Sequence, residues 1–96
     1  LVQTYDIRDL TLWHFDLYRL ENPEEIWELG FEEVSGGIAL VEWPERASAL
    51  GLFQQALSLT LAQGINDDER RITLMGHDNW SLRLKTLEQD LSHGPF

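Results

Sequence analysis

Leu10-Thr11-Leu12-Trp13-His14-Phe15-Asp16, continuing into Leu17-Tyr18-Arg19-Leu20, is the stretch that decides the fold. Leu10 to Phe15 is apolar on both alternating faces, the pattern of a strand inside a parallel sheet. The run ends on a carboxylate, Asp16, where a strand meets a loop. Downstream, Asn22-Pro23-Glu24-Glu25 reads as a helix start, with Asn22 as cap, Pro23 in the first turn and acids at the positive end of the dipole. That helix is predicted to run to about Leu29, with Gly30 as its stop. Phe31 to Val34 adds a turn before Gly36-Gly37 breaks the chain. Ile38-Ala39-Leu40-Val41 is a second continuous apolar run, and it too ends on a carboxylate, Glu42. The residues between Asp16 and Glu42 suffice for a helical crossover, so the two strands are predicted parallel neighbours with both carboxylates on one edge.

Beyond Pro44 the pattern changes. Leu57, Leu59 and Leu61 alternate with Ser58 and Thr60, which predicts a strand with one wet face. Gln63 to Glu69 is a loop by composition, and Arg71 to Met75 returns as the second arm of a hairpin. From Asn79 onward Trp80, Leu84, Leu87 and Leu91 keep helical spacing, with Asp78 as the expected cap. The fold class is α/β: parallel core strands, a C-terminal antiparallel hairpin and a terminal helix. No internal repeat or low-complexity tract interrupts this order.

Composition narrows the function classes. The 96 residues carry a formal charge of −10 and a hydrophobic content of 43%, with four tryptophans and no cysteine. This describes a packed chain of about one domain rather than a disordered one. Nucleic-acid affinity comes largely from neutralised phosphates, so direct RNA or DNA binding by so acidic a segment is not expected. No apolar run approaches the roughly 18 residues that span a bilayer. Leu1 to Arg8 lacks the layout of a secretory signal. Cysteine-free composition excludes disulfides and thiolate zinc sites and agrees with the expected cytoplasmic location.

In open parallel sheets ligands bind beyond the carboxyl ends of the strands, and neighbouring strands lie about 4.8 Å apart. Asp16 and Glu42 can therefore reach a common ion or water: one holds magnesium, usually through water, and the other anchors the same ion or orients an attacking water. The plainer alternative is a pair of carboxylates that accept backbone hydrogen bonds in loops. Trp43-Pro44 either fixes the Glu42 carboxylate, packs against a nucleotide or closes the core edge. Arg19 either meets phosphate or pairs with Glu21 or Glu24. Arg70 and Arg71 form a basic pair offset by Asp67, Asp68 and Glu69. His14, His77 and His93 lack zinc-site spacing. His14 and Asp16 share a face of the first strand, where a hydrogen bond is the expected outcome.

The words themselves carry more. His14-Phe15-Asp16-Leu17-Tyr18-Arg19-Leu20, then Asn22-Pro23-Glu24-Glu25, Glu28-Leu29-Gly30 and Leu40-Val41-Glu42-Trp43-Pro44-Glu45-Arg46 resemble the TsaE family, also called YjeE, in order and in register over roughly Leu1 to Ala47. The resemblance implies a P-loop NTPase-type sheet and ATP hydrolysis with Mg2+, in support of threonylcarbamoyladenosine (t6A) formation in tRNA, alongside the TsaB and TsaD proteins. It implies that Asp16 is the Walker B-like aspartate and that Glu42 contacts magnesium and its water. Trp43 is then the sensitive residue beside them, and Arg70 the arginine associated with nucleotide. The family's Gly-x-x-x-x-Gly-Lys-Ser/Thr loop does not occur in these residues, although its amides and lysine cradle the phosphates. Residues 1–96 are accordingly expected to be a single partial domain, the C-terminal portion of such an ATPase with the phosphate-loop unit upstream. The chain by itself is expected to be inactive. A non-catalytic module that binds the TsaB–TsaD complex is the alternative.

Overall fold

The computed structural model describes residues 1–92; His93, the third of the histidines weighed above, lies outside the described residues. By its internal contacts the chain divides into two units, Leu1–Phe53 and Gln54–Phe96.

The first unit is built on a mixed sheet of strands β1 (Val2–Ile7), β2 (Leu10–Asp16) and β3 (Ile38–Glu42), in that spatial order. β1 and β2 form an antiparallel hairpin with Val2 opposite Phe15 and Ile7 opposite Leu10. Its turn holds Arg8 in the left-handed region at φ 55°. β2 and β3 pair in parallel from Leu12–Ile38 to Asp16–Glu42, as the two apolar runs predict. The outer edge of β3 has no strand partner among the described residues.

The crossover begins where the sequence places it but is wound more tightly than an α-helix. Pro23–Leu29 is a 3-10 helix, capped by Asn22, whose side chain accepts from the Glu24 N–H, while the Glu25 carboxylate accepts from the Asn22 N–H. With Pro23 at its start and only seven residues in all, the segment closes through i to i+3 bonds such as Glu25 N–H to Asn22 C=O and Gly30 N–H to Trp27 C=O. Gly30 stops it at φ 83°, a conformation glycine adopts without steric penalty. A second 3-10 turn, Phe31–Glu33, follows. Gly37 then enters β3 so close to β2 that a Cβ there would collide with the Thr11 carbonyl and the Trp13 ring.

These turns cover one face of the sheet. Phe15, Leu17, Leu20, Ile26 and Ala47 form the buried core, and Trp13, Phe31, Ala39, Val41, Leu50 and Phe53 pack around it. Ala47 comes from a third 3-10 segment, Pro44–Leu50, that the sequence reading did not anticipate. On the opposite face Tyr5, Ile7, Leu10, Ile38 and Leu40 remain about half exposed. The two-sided burial expected of β2 and β3 is thus met on one side only, because every turn of the crossover packs on the same face.

The second unit consists of hairpin β4 (Ser58–Gln63) and β5 (Arg70–Met75), with Leu59 opposite Leu74, and helix α1 (Ser81–Ser92). The hairpin and the helix follow the sequence reading. The single wet face does not: all of β4 is exposed, since a two-stranded ribbon supplies little to bury against. Asp78 enters the turn before α1 through its carbonyl, which accepts from Ser81. The Trp80 indole and Asn79 amide both donate to the Gln55 carbonyl at 3.0 Å.

Two substitutions calibrate the first unit by urea unfolding. Ile26→Ala should lower stability by about 2–5 kcal/mol, the range for emptying a buried aliphatic site. Asn22→Ala should lower it by about 1 kcal/mol through loss of the cap.

Candidate functional site

β2 and β3 end side by side, and their parallel register sets Asp16 directly beside Glu42. Both side chains leave the sheet on the face opposite Phe15 and Val41, together with His14 two residues back on β2. The His14 Nε2 lies 3.0 Å from the Glu42 Oε2. An ionised carboxylate only accepts, so the imidazole donates. The hydrogen bond expected for His14 therefore forms, but across the strand pair rather than along the strand. Positions i and i+2 of one strand are about 6.6 Å apart, whereas a long side chain reaches its diagonal neighbour on the adjacent strand.

Asp16 is held by its own loop. Its Oδ1 accepts from the Tyr18 N–H at 3.1 Å, its backbone N–H donates to the Leu1 carbonyl at 2.8 Å, and the next amide, Leu17, donates to the Glu42 carbonyl at 3.1 Å. The last bond ties the end of β2 to the end of β3, so the two carboxylates sit on a joined pair of strand ends.

Trp43 turns the chain immediately after Glu42. It occupies the left-handed region at φ 59° and ψ 50°, strained for a bulky residue by about 1–3 kcal/mol. Such strain concentrates where surrounding structure must aim a side chain. The Trp43 ring lies 4.9 Å from that of Tyr18, and the Arg46 guanidinium sits 5.4 Å from the Tyr18 ring on one turn of the following segment. Sequence reasoning missed Tyr18 and Arg46; the signal was present in the positions of Tyr18, two residues after Asp16, and Arg46, three after Trp43. Trp43 consequently clasps the loops that follow β2 and β3, while remaining 49% exposed.

An open groove of about 860 Å³ adjoins these residues, lined by Asp16, Tyr18, Arg19, Trp43, Glu25 and Leu29 among others. Arg19 makes no ion pair within 4.0 Å among the described residues, so the pairing with Glu21 or Glu24 does not form, and Arg19 lines the groove. Arg70 belongs to the second unit, at the start of β5. Its guanidinium donates to the carbonyls of Asp67 at 2.9 Å and Glu69 at 2.8 Å, closing the hairpin loop. The acids before it thus act through their backbones. Asp16, Glu42 and Trp43 are brought together in the first unit.

Among the described residues no three carboxylates or imidazoles converge as a closed metal cage. Two neighbouring carboxylates fit a different kind of ion, one that keeps most of its water and takes its remaining ligands from a phosphate-bearing substrate, as magnesium does.

Residues 1–72 match the family model described as Threonylcarbamoyl adenosine biosynthesis protein TsaE. The protein of that name from Rickettsia felis is 56% identical over 46 residues, 47% of this chain and 27% of the relative. The Haemophilus influenzae protein is 35% identical over 81 residues, covering 82% of this chain and 49% of its own length. Among solved structures, the crystal structure of YdiB from Bacillus subtilis superposes with a TM-score of 0.60 at 28% identity, covering 96% of this chain and 55% of that one. The chain spans about half the length of these longer-matching relatives, and less of the Rickettsia protein.

The left-handed turn at Trp43 has a stability signature. Outside that region alanine is the more stable of the pair alanine and glycine. Here Trp43→Gly should exceed Trp43→Ala by about 1 kcal/mol in urea unfolding, and the reverse order would show that the turn relaxes.

Proposed function

The chain belongs to the TsaE family, and we propose that it is the C-terminal part of an ATPase that supports t6A modification of tRNA together with TsaB and TsaD in the cytoplasm. The observation that carries this reading is the register of β2 and β3, which sets Asp16 beside Glu42 at the carboxyl end of a parallel pair, where ligands of such sheets bind.

In the proposed site Asp16 and Glu42 would hold magnesium, with ATP as the substrate. When bound, the ion neutralises charge on the phosphates. Asp16 contributes a carboxylate whose orientation is set by the Tyr18 amide, and Glu42 orients the attacking water and accepts its proton. Trp43 and Tyr18 wall the groove beside Asp16. Arg70 is the proposed nucleotide arginine. The formal charge of −10 supports a division of labour in which partner subunits, not this segment, hold tRNA.

The test is made on the protein as its gene encodes it. Glu42→Gln should reduce ATP turnover by at least about 100-fold, in the range of lost acid–base catalysis, and leave the circular dichroism spectrum and binding to TsaB–TsaD intact. Undiminished turnover would remove Glu42 from the mechanism. A wild-type protein that binds TsaB–TsaD but hydrolyses no ATP would instead make this family member an interaction module. Arg70→Ala should raise the KM for ATP about tenfold, equivalent to about 1.4 kcal/mol of lost binding; an unchanged KM would exclude the arginine.

A further inference from the structure

Glu42 is the less sheltered of the two carboxylates. Its side chain is 58% exposed and lies at the end of an edge strand, with the left-handed Trp43 turn immediately after it. A glutamate in that setting samples several rotamers, and a catalytic carboxylate displaced by about 1 Å can forfeit as much as about 100-fold in rate. Asp16 has the Tyr18 amide to hold one oxygen. For Glu42 the partner is the His14 imidazole.

We infer that His14 is a positioning residue, whose Nε2–H holds the Glu42 Oε2 and so leaves the other carboxylate oxygen aimed at the reacting water. The inference rests on the hydrolytic role proposed for Glu42. Three observations carry it. His14 is on the central strand of the three-stranded sheet, hydrogen-bonded on both sides, so its backbone is the best fixed of the site. Its side chain is half-buried, 31% exposed, between its cross-strand neighbours Gln3 on β1 and Leu40 on β3, which limits its rotamers. The Nε2 to Oε2 distance of 3.0 Å is that of a formed hydrogen bond. A rigid donor thereby fixes a mobile acceptor. Because the carboxylate accepts, the imidazole proton resides on Nε2, and this tautomer is a prediction that does not depend on turnover.

The experiment uses the protein as its gene encodes it, with magnesium at saturation and ATP varied for the kinetic arm and neither present for the spectroscopic arm. His14→Ala should lower kcat about tenfold with the KM for ATP unchanged. His14→Gln, whose amide nitrogen occupies nearly the place of Nε2, should restore most of that loss. In 15N-labelled wild type the His14 ring should show the proton on Nε2, and Glu42→Ala should shift both ring nitrogens. A ring protonated on Nδ1 alone, or ring signals indifferent to Glu42→Ala, would overturn the inference even if the alanine variant failed to fold. So would a folded His14→Ala variant with wild-type kcat, or a loss that glutamine does not rescue. Failure of the underlying reading looks different: Glu42→Gln would itself hydrolyse ATP at the wild-type rate.

Discussion

Parallel pairing of β2 with β3 is the constraint from which the first unit follows. Parallel strands cannot be joined by a tight turn, so the chain must leave the end of β2, travel back along the sheet and enter β3 from the same side as it entered β2. The crossover does this with two 3-10 segments, and the return places Ile26 on Phe15 and Leu17. Gly37 makes the re-entry possible, because the strands approach there more closely than any side chain permits. The same pairing carries Asp16 and Glu42 to adjacent strand ends. Core and site are two consequences of one hydrogen-bond ladder.

The site works against local stability at two points. Like charges directly opposite on neighbouring strands are unfavourable by a few tenths to about 1 kcal/mol, and Trp43 adds backbone strain. Neither helps the chain fold. Both are offset by the Leu17 N–H to Glu42 carbonyl bond and the Trp43–Tyr18 ring contact between the loops, and by the Tyr18 N–H to Asp16 bond within the first. The result is a tethered pair of strand ends, with Asp16 and Trp43 lining an open groove.

The two units differ in how much they bury. The first owns every buried residue of the described chain, while in the second Leu57, Leu74, Trp80, Leu84 and Leu87 are only half-buried. The second unit gains order instead from hydrogen bonds to carbonyls: Trp80 and Asn79 on Gln55, and Arg70 on Asp67 and Glu69. Arg70 illustrates why charge counting misleads here. Acids near an arginine suggest ion pairs, yet the loop turns its carbonyls, not its carboxylates, toward the guanidinium.

Much of this was legible in the order of residues. Two apolar runs each ending in a carboxylate, separated by a capped turn with proline first and glycine last, determined the parallel pair, its crossover and the adjacency of Asp16 and Glu42, because those features depend on local backbone preference and strand period. The β1 strand was not legible: Gln3, Thr4 and Asp6 interrupt its apolar alternation, and its turn at Arg8-Asp9 lacks the usual glycine or asparagine. The Pro44–Leu50 segment was hidden for a similar reason, its single buried side chain being an alanine. Only tertiary structure decided that His14 bonds to Glu42 rather than Asp16, that Trp43 packs on Tyr18, and that the described residues cover one face of the sheet more fully than the other. Those outcomes depend on which side chains from different strands and loops fall within a few ångströms of each other, a distance that residue order does not encode.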